Sequence, residues 1–177
     1  MTTAEYLQTP ETLLPRELAF GVLYVAEAPR ARHQRVVLEL LLAIAPFVRA
    51  HRLGEVLPAP IDVILDHAAN LVVQPDLVFV STERAGIVAD QIDGAPDLAI
   101  EVLSPQPRVG RLDERVGWFA RYGVRECWLA DLQTRRLAVL RLEAGAIVER
   151  AVCTGGETIE SAVLPGVPVM PLQIFGW

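Results

Sequence analysis

Residues 96–105 read PDLAIEVLSP, and Glu101 lies in the middle of a run that otherwise favours burial. Successive side chains of a strand point to opposite faces. Leu98, Ile100 and Val102 therefore share one face, which is typical of a core, while Asp97 and Glu101 share the other. A carboxylate on a buried strand needs a cation, hydrogen bonds or a metal ion. The stretch predicts a central strand that presents an acid to a site.

The same opening pair occurs upstream in QPDLVFVS, residues 74–81, where Asp76 begins a second predicted strand. If the two strands are neighbours, Asp76 and Glu101 converge. The alternative for Asp76 and for Asp97 is a turn-forming aspartate at the start of a strand, which is common. Glu101 lies too far into its strand for that explanation.

A helix is predicted over residues 111–122, directly after the Glu101 strand. At 100° per residue, Arg115 falls within the helix's apolar face, which is made by Leu112, Val116, Phe119 and Tyr122. Arg115 either faces a charged site beneath the helix or extends its guanidinium to water while its stem packs on the aromatic rings. The two interpretations have about equal weight.

The remaining pattern predicts an α+β (mixed α/β) fold, with helices packed on a largely antiparallel or mixed sheet. A hairpin is expected at 18–27, with Gly21 at the bend. A helix follows at about 31–52, which Pro46 should kink or break. Its His33 lies mid-face, where a structural histidine is commoner than a ligand or a base. The other strands are expected near 55–65, 71–80, 97–103, 126–131, 136–142 and 146–152.

Composition narrows the class of protein. The 177 residues are 52% hydrophobic and 21% charged, which indicates one globular domain over 1–177. No signal peptide and no membrane-spanning run is recognisable, and the two cysteines lack metal-ligand spacing, so a cytoplasmic location is expected. The net charge of −6 disfavours polyanions, but residues 30–52 carry five arginines against one glutamate. Residues 104–125 carry five arginines against two acids, and the chain contains no lysine.

The two Pro-Asp strands, followed by YGVRECWLAD at 122–131, resemble the Uma-type restriction-endonuclease-like family of the PD-(D/E)XK nuclease superfamily. That resemblance implies a mixed sheet flanked by helices and an endonuclease that cleaves DNA. It also implies that Asp76 and Glu101 hold Mg²⁺, for which Mn²⁺ can substitute, and that Asp97 lies near the same face. Mg²⁺ takes oxygen ligands and keeps several waters, so two carboxylates leave room for a phosphate and a nucleophile.

The sequence departs from the superfamily pattern at the lysine, since Leu103 occupies the position two residues after the second acid. The family's lysine position corresponds to Arg115, and the acid four residues earlier corresponds to Arg111. Arginine keeps its charge and cannot act as a base. Two interpretations remain open. One is an active nuclease in which Arg115 stabilises charge, with His33 and Arg111 as accessory residues. The other is a catalytically impaired nuclease-like module that binds nucleic acid or protein.

A homodimer is the default expectation for an endonuclease that cuts both strands. Its apolar contact strip is expected around Trp118, Trp128 or the C-terminal LQIFGW, residues 172–177. Core packing is the alternative explanation for the tryptophans.

Overall fold

Two mixed β-sheets and four α-helices make up the described part of the chain, which comprises residues 1–10, 12, 14–103 and 111–177 of a computed structural model. Residues 104–110, which include Arg108 of the second basic segment, lie outside the described residues. The helices are α1 (Thr3–Leu7), α2 (Ala31–His51), α3 (Leu112–Tyr122) and α4 (Pro171–Phe175). The strands are β1 (Arg16–Ala19), β2 (Val22–Val25), β3 (Gly54–Pro58), β4 (Val63–Asp66), β5 (Leu71–Val73), β6 (Leu77–Ser81), β7 (Ile92–Asp93), β8 (Leu98–Leu103), β9 (Glu126–Asp131), β10 (Arg136–Glu143) and β11 (Ala146–Cys153).

The larger sheet has the order β11-β10-β9-β8-β6-β3, with β8 near its centre, parallel to β9 and antiparallel to β6. The two faces of β8 are the ones that its alternation predicts. Leu98, Ile100 and Val102 pack with apolar residues of α2, whereas Ala99 packs with Val116 and Phe119 of α3. Glu101 therefore faces the side of the sheet that α3 covers.

The smaller sheet has the order β2-β1-β5-β4-β7, and its inner face shares one apolar core with α3 and the larger sheet. The prediction of single strands over 55–65 and 71–80 is wrong. Each region divides into two strands, because prolines at 58, 60 and 75 interrupt the hydrogen-bond ladder. Of each pair, one strand joins the larger sheet (β3, β6) and the other joins the smaller sheet (β4, β5).

The predicted hairpin forms between β1 and β2, and its turn requires positive φ angles at Phe20 (50°) and Gly21 (85°). Helix α2 begins and ends close to its predicted limits, but Pro46 does not break it. Pro46 lies on the exposed side of α2. The carbonyl that loses its helical hydrogen bond there belongs to the exposed residue Leu42, and the helix tolerates the interruption.

Within the described ranges, the helices are all too short or too polar to cross a lipid bilayer.

Candidate active site

Glu101 and Arg115 form a buried ion pair between β8 and α3. The Arg115 Nε donates to Glu101 Oε1 at 2.7 Å. Arg115 is 5% exposed and Glu101 is 8% exposed, so neither charge is well hydrated. Of the two interpretations of Arg115, the structure therefore supports a charged site beneath the helix and not a guanidinium that extends to water.

A third residue, Glu17 of β1, completes the environment of the guanidinium. Arg115 Nη1 donates to Glu17 Oε2 at 2.8 Å, and Nη2 donates to Glu17 Oε1 at 2.7 Å. The Gln74 backbone amide also donates to Glu17 Oε1, at 2.6 Å. All three guanidinium nitrogens thus contact carboxylates, and the hairpin strand of the smaller sheet is tied to the helix that covers the larger one.

The sequence prediction missed Glu17, because the hairpin was expected to begin at Leu18, one residue after Glu17. Two signals could have identified it. Glu17 and Ala19 share a face of β1, and Ala19 lies in the common core. A buried guanidinium also has five N–H donors, which one carboxylate cannot satisfy.

Asp76 lies immediately before β6 and adjoins the same cluster. Its Oδ2 accepts from the Val102 backbone amide at 2.8 Å and lies 3.1 Å from His33 Nε2. His33 is in the first turn of α2, so this helix begins beside Asp76. Asp76 and His33 are both buried. The structure therefore brings Asp76 close to Glu101, as expected if their strands are neighbours, and places Arg115 and Glu17 beside Glu101 and His33 against Asp76.

Two buried carboxylates, those of Glu17 and Glu101, bind the guanidinium of Arg115, and Asp76 lies close enough to act on Glu101 with its negative charge. Burial is the largest cause that raises the pKa of Glu101. The positive charge of Arg115 opposes it, and the negative charges of Asp76 and Glu17 add to it, so the pKa is about 7. Burial by itself would lower the pKa of Arg115, but Glu101 and Glu17 more than reverse that effect and raise it. Arg115 therefore stays charged, whereas Glu101 exchanges a proton near neutral pH.

Asp97 does not join the cluster. It precedes β8 at the end remote from Glu101, where its carboxylate accepts from the Ser81 amide at 2.8 Å and from Arg125 at 3.1 Å, and lies 3.6 Å from Arg84. Burial would raise the pKa of Asp97, but these hydrogen bonds and charges lower it overall. Its contacts match the turn and strand-end role that was the alternative for this residue.

Arg111 also lies outside the cluster. Its side chain is 81% exposed, and its one ion pair in the described residues is with exposed Asp113 at 3.4 Å. Trp128 cannot belong to a surface strip, because it is fully buried and its indole N–H donates to Glu126 at 2.7 Å. Trp118 is half-buried and packs edge-on against Phe20, with ring centroids 5.5 Å apart.

The described residues contain no group of three or more histidine, cysteine, aspartate or glutamate side chains arranged to hold a metal ion. A metal ion at this site would therefore have two protein carboxylates, those of Asp76 and Glu101, because Arg115 already engages both oxygens of Glu17. Mg²⁺ fits that donor set, since it commonly takes one or two carboxylates and keeps water as its other ligands.

The comparison with known proteins agrees with this architecture. The model of the Uma2 family, described as "Putative restriction endonuclease", matches residues 3–173. The crystal structure of "a putative nuclease belonging to DUF820" from Anabaena variabilis ATCC 29413 superposes with a TM-score of 0.84 at 20% identity, over 100% of this chain and 98% of that one. At that identity the likeness shows a shared fold. No curated protein matches the chain. The family match spans nearly the whole sequence, so the chain belongs to the Uma2 family of putative restriction endonucleases.

Proposed function

We propose that this protein is a Mg²⁺-dependent endonuclease that hydrolyses phosphodiester bonds in DNA, and that Mn²⁺ can replace Mg²⁺. The observation that carries the proposal is the pair of buried carboxylates on neighbouring strands, Asp76 and Glu101. Burial and the charges of Asp76 and Glu17 raise the pKa of Glu101 to about 7 against the opposing charge of Arg115, and a cation bound to this pair would favour the charged form of Glu101. Family membership supports the same reaction class.

Asp76 and Glu101 are the residues that would hold the metal ion. When bound, Mg²⁺ lowers the pKa of a water ligand and neutralises charge that develops on the phosphate. Without the ion, Glu101 is close to half protonated at neutral pH, because its pKa is about 7. Metal binding should therefore release a proton from Glu101 and become tighter as the pH rises through 7.

The other residues of the cluster position the acids. His33 and the Val102 amide hold Asp76 Oδ2, and Glu17 holds Arg115 at its two terminal nitrogens. Arg115 places a permanent positive charge beside Glu101, where it would stabilise negative charge on a phosphate oxygen. It cannot accept a proton from the attacking water.

The impaired module remains a second candidate because of one specific observation. Every guanidinium nitrogen of Arg115 already donates to a carboxylate at 2.7–2.8 Å. A phosphate must therefore share Arg115 with Glu17 and Glu101. If it cannot do so, Arg115 is a fixed counter-ion, and the protein binds nucleic acid or another protein without cleaving it.

Mg²⁺ and Mn²⁺ calorimetry, combined with nicking of supercoiled plasmid, separates the two candidates. The wild type is compared with Asp76→Asn and Glu101→Gln, which keep the side-chain shapes, and with Asp113→Asn, which removes an exposed acid of α3. The active nuclease predicts metal-dependent nicking and metal binding that Asp113→Asn retains and the other two variants lose. Metal binding without nicking favours the impaired module. Absence of metal binding in the wild type refutes the metal site.

We also propose that two copies associate through β2, the edge strand of the smaller sheet. Among the described residues β2 has one neighbouring strand, and all four of its side chains are apolar and at least 40% exposed. The net charge of −6 opposes general self-association, but β2 carries no charge. Edge strands that lack charges and prolines readily pair with another strand, and antiparallel pairing of β2 with its own copy gives a two-fold interface.

A further inference from the structure

The first turn of α2 lies directly beside the acidic cluster. Its N-cap residue is Arg30, and His33 in the same turn contacts Asp76 at 3.1 Å. Arg30 and Arg32, which belong to the same turn, are both exposed. Arg35, one turn later, stacks on the ring of Trp177 at 5.1 Å and is already occupied.

This turn carries positive side chains, whereas negative side chains are the ones that stabilise the N-terminus of a helix. The N-terminus of a helix carries a partial positive charge and unpaired amide N–H groups, and acids or capping side chains stabilise it. Helix α1 follows that rule with a capping box between Thr2 and Glu5, and α3 has Asp113 and Glu114 in its first turn. Helix α2 begins with two arginines, no acid and no side-chain cap.

A second observation in the same turn points to a ligand. His33 is 5% exposed, and its Nδ1 has no hydrogen-bond partner among the residues that the structure describes. Buried polar atoms without a partner are rare in folded proteins, and an unseen group commonly satisfies them. Because Nε2 donates to the Asp76 carboxylate, Nδ1 offers a donor to an anion when the ring is protonated on both nitrogens. The turn therefore combines two exposed cations, uncapped amides and one unsatisfied buried nitrogen, all next to Asp76.

We propose that the first turn of α2 binds backbone phosphates of the nucleic acid on one side of the scissile bond. The guanidinium groups of Arg30 and Arg32 pair with phosphate oxygens, for which arginine has the matching geometry. The uncapped amides of the turn donate to the same phosphates. Contacts of this kind set the register of the strand relative to Asp76 and are independent of base sequence. This assignment rests on the proposed function, because it requires that the site act on a nucleic acid.

The test measures DNA binding without cleavage. Fluorescence anisotropy of a labelled 24-base-pair duplex is recorded with EDTA and again with Ca²⁺, between 30 and 200 mM salt. Arg30→Gln/Arg32→Gln is compared with Arg49→Gln/Arg150→Gln, which makes the same change in net charge. Arg49 is exposed near the far end of α2, about 24 Å from His33 at 1.5 Å per residue, and Arg150 is exposed on β11.

We expect the first double variant to bind at least tenfold more weakly than the wild type at 50 mM salt. The slope of log K against log salt should fall in magnitude by about 1.8, since each phosphate contact contributes about 0.9. The Tm of this double variant should be unchanged or higher, because the substitutions remove two positive charges from a helix end that already has a partial positive charge. The control variant should keep the wild-type slope, and its affinity for the duplex should fall by less than threefold. Equal losses in both pairs, or a wild type that does not bind the duplex at 50 mM salt, would overturn the assignment. Metal-dependent nicking that persists in Arg30→Gln/Arg32→Gln with unchanged DNA affinity would overturn this inference alone.

Discussion

Replacing Arg115 with methionine removes the cation that pairs with two buried carboxylates, those of Glu17 and Glu101. The methionine keeps most of the length of the apolar stem, but it removes the guanidinium that lies over the Phe119 ring and pairs with Glu17 and Glu101. We expect Arg115→Met to lower the free energy of unfolding of the metal-free protein by about 3–5 kcal/mol at pH 7, which is the usual loss when one partner of a buried ion pair is deleted.

Protonation limits this loss. A buried carboxyl that loses its cation can bind a proton, and at pH 7 that protonation costs about 4 kcal/mol for a glutamate with an unfolded pKa near 4.3. Glu101 already has a pKa of about 7 in the wild type, so part of this cost is present before the substitution. At pH 5 the same protonation costs about 1 kcal/mol. A raised pKa destabilises the fold only above the unfolded pKa, and the difference between wild type and variant should shrink accordingly as the pH falls.

Urea unfolding in EDTA at pH 7 and pH 5, followed by tryptophan fluorescence, measures both quantities. Arg111→Met is the matched control, because Arg111 is an arginine next to the same helix with a side chain that is 81% exposed. It should change stability by no more than about 0.5 kcal/mol. Arg115→Lys should be intermediate, since it keeps the charge but not the two-pronged contact with Glu17. A loss below about 1 kcal/mol at pH 7, or an equal loss at both pH values, would contradict the charge account of the cluster.

Three further results are expected. Burial raises the pKa of Asp97, but hydrogen bonds from a backbone amide and from Arg125 lower it overall. Asp97→Asn should therefore be less stable than the wild type above about pH 4 and nearly equal below pH 3. Thermal unfolding across this pH range measures the stability difference between the wild type and Asp97→Asn. A difference that is independent of pH would contradict the lowered pKa of Asp97. Glu126→Ala should lose about 2–4 kcal/mol in urea unfolding and expose residues 154–177 to protease, because a buried indole, a hydroxyl and an amide lose their common acceptor. An unchanged proteolytic pattern would count against this role. Leu23→Lys on β2 should sediment as a monomer at concentrations where the wild type is a dimer, whereas Val148→Lys on the exposed strand β11 should not. Equal sedimentation of wild type and Leu23→Lys would refute association through β2.

The strands and helices that form one continuous sequence pattern were predictable. The alternation in 98–103 identified both faces of β8, and the helical wheel placed Arg115 on the buried side of α3. In both cases the period of the side chains decides which residues meet the core. Local pattern alone was sufficient because each element buries one face.

Sheet membership was not predictable from the same patterns. The runs 55–65 and 71–80 were each predicted as one strand, yet each crosses from one sheet to the other at a proline. Periodicity describes which side of a strand is apolar, but it does not describe which strand lies next to it. The register that places Leu77 opposite Ile100, and so brings Asp76 to Glu101, depends on contacts between distant segments.

Glu17 was missed for a related reason. Its importance depends on a contact with Arg115, 98 residues away, and the local pattern shows only the strand face that it shares with Ala19. Asp97 shows the converse case. Its Pro-Asp setting is identical to that of Asp76, but its neighbours are Arg125 and Arg84 and not the acidic cluster. Identical local motifs acquire different roles from what the fold places beside them.

Three local settings in this fold are unfavourable for the residues that occupy them. Glu101 conflicts with a buried strand, Arg115 with an apolar helix face, and Arg30 and Arg32 with a positive helix end. The first two conflicts offset one another, because Glu101 and Arg115 are bonded at 2.7 Å. The third has no such partner within its own turn and adjoins Asp76 through His33. Since local conflicts in natural proteins concentrate at functional sites, the unbalanced turn of α2 is where an anionic ligand would restore the balance.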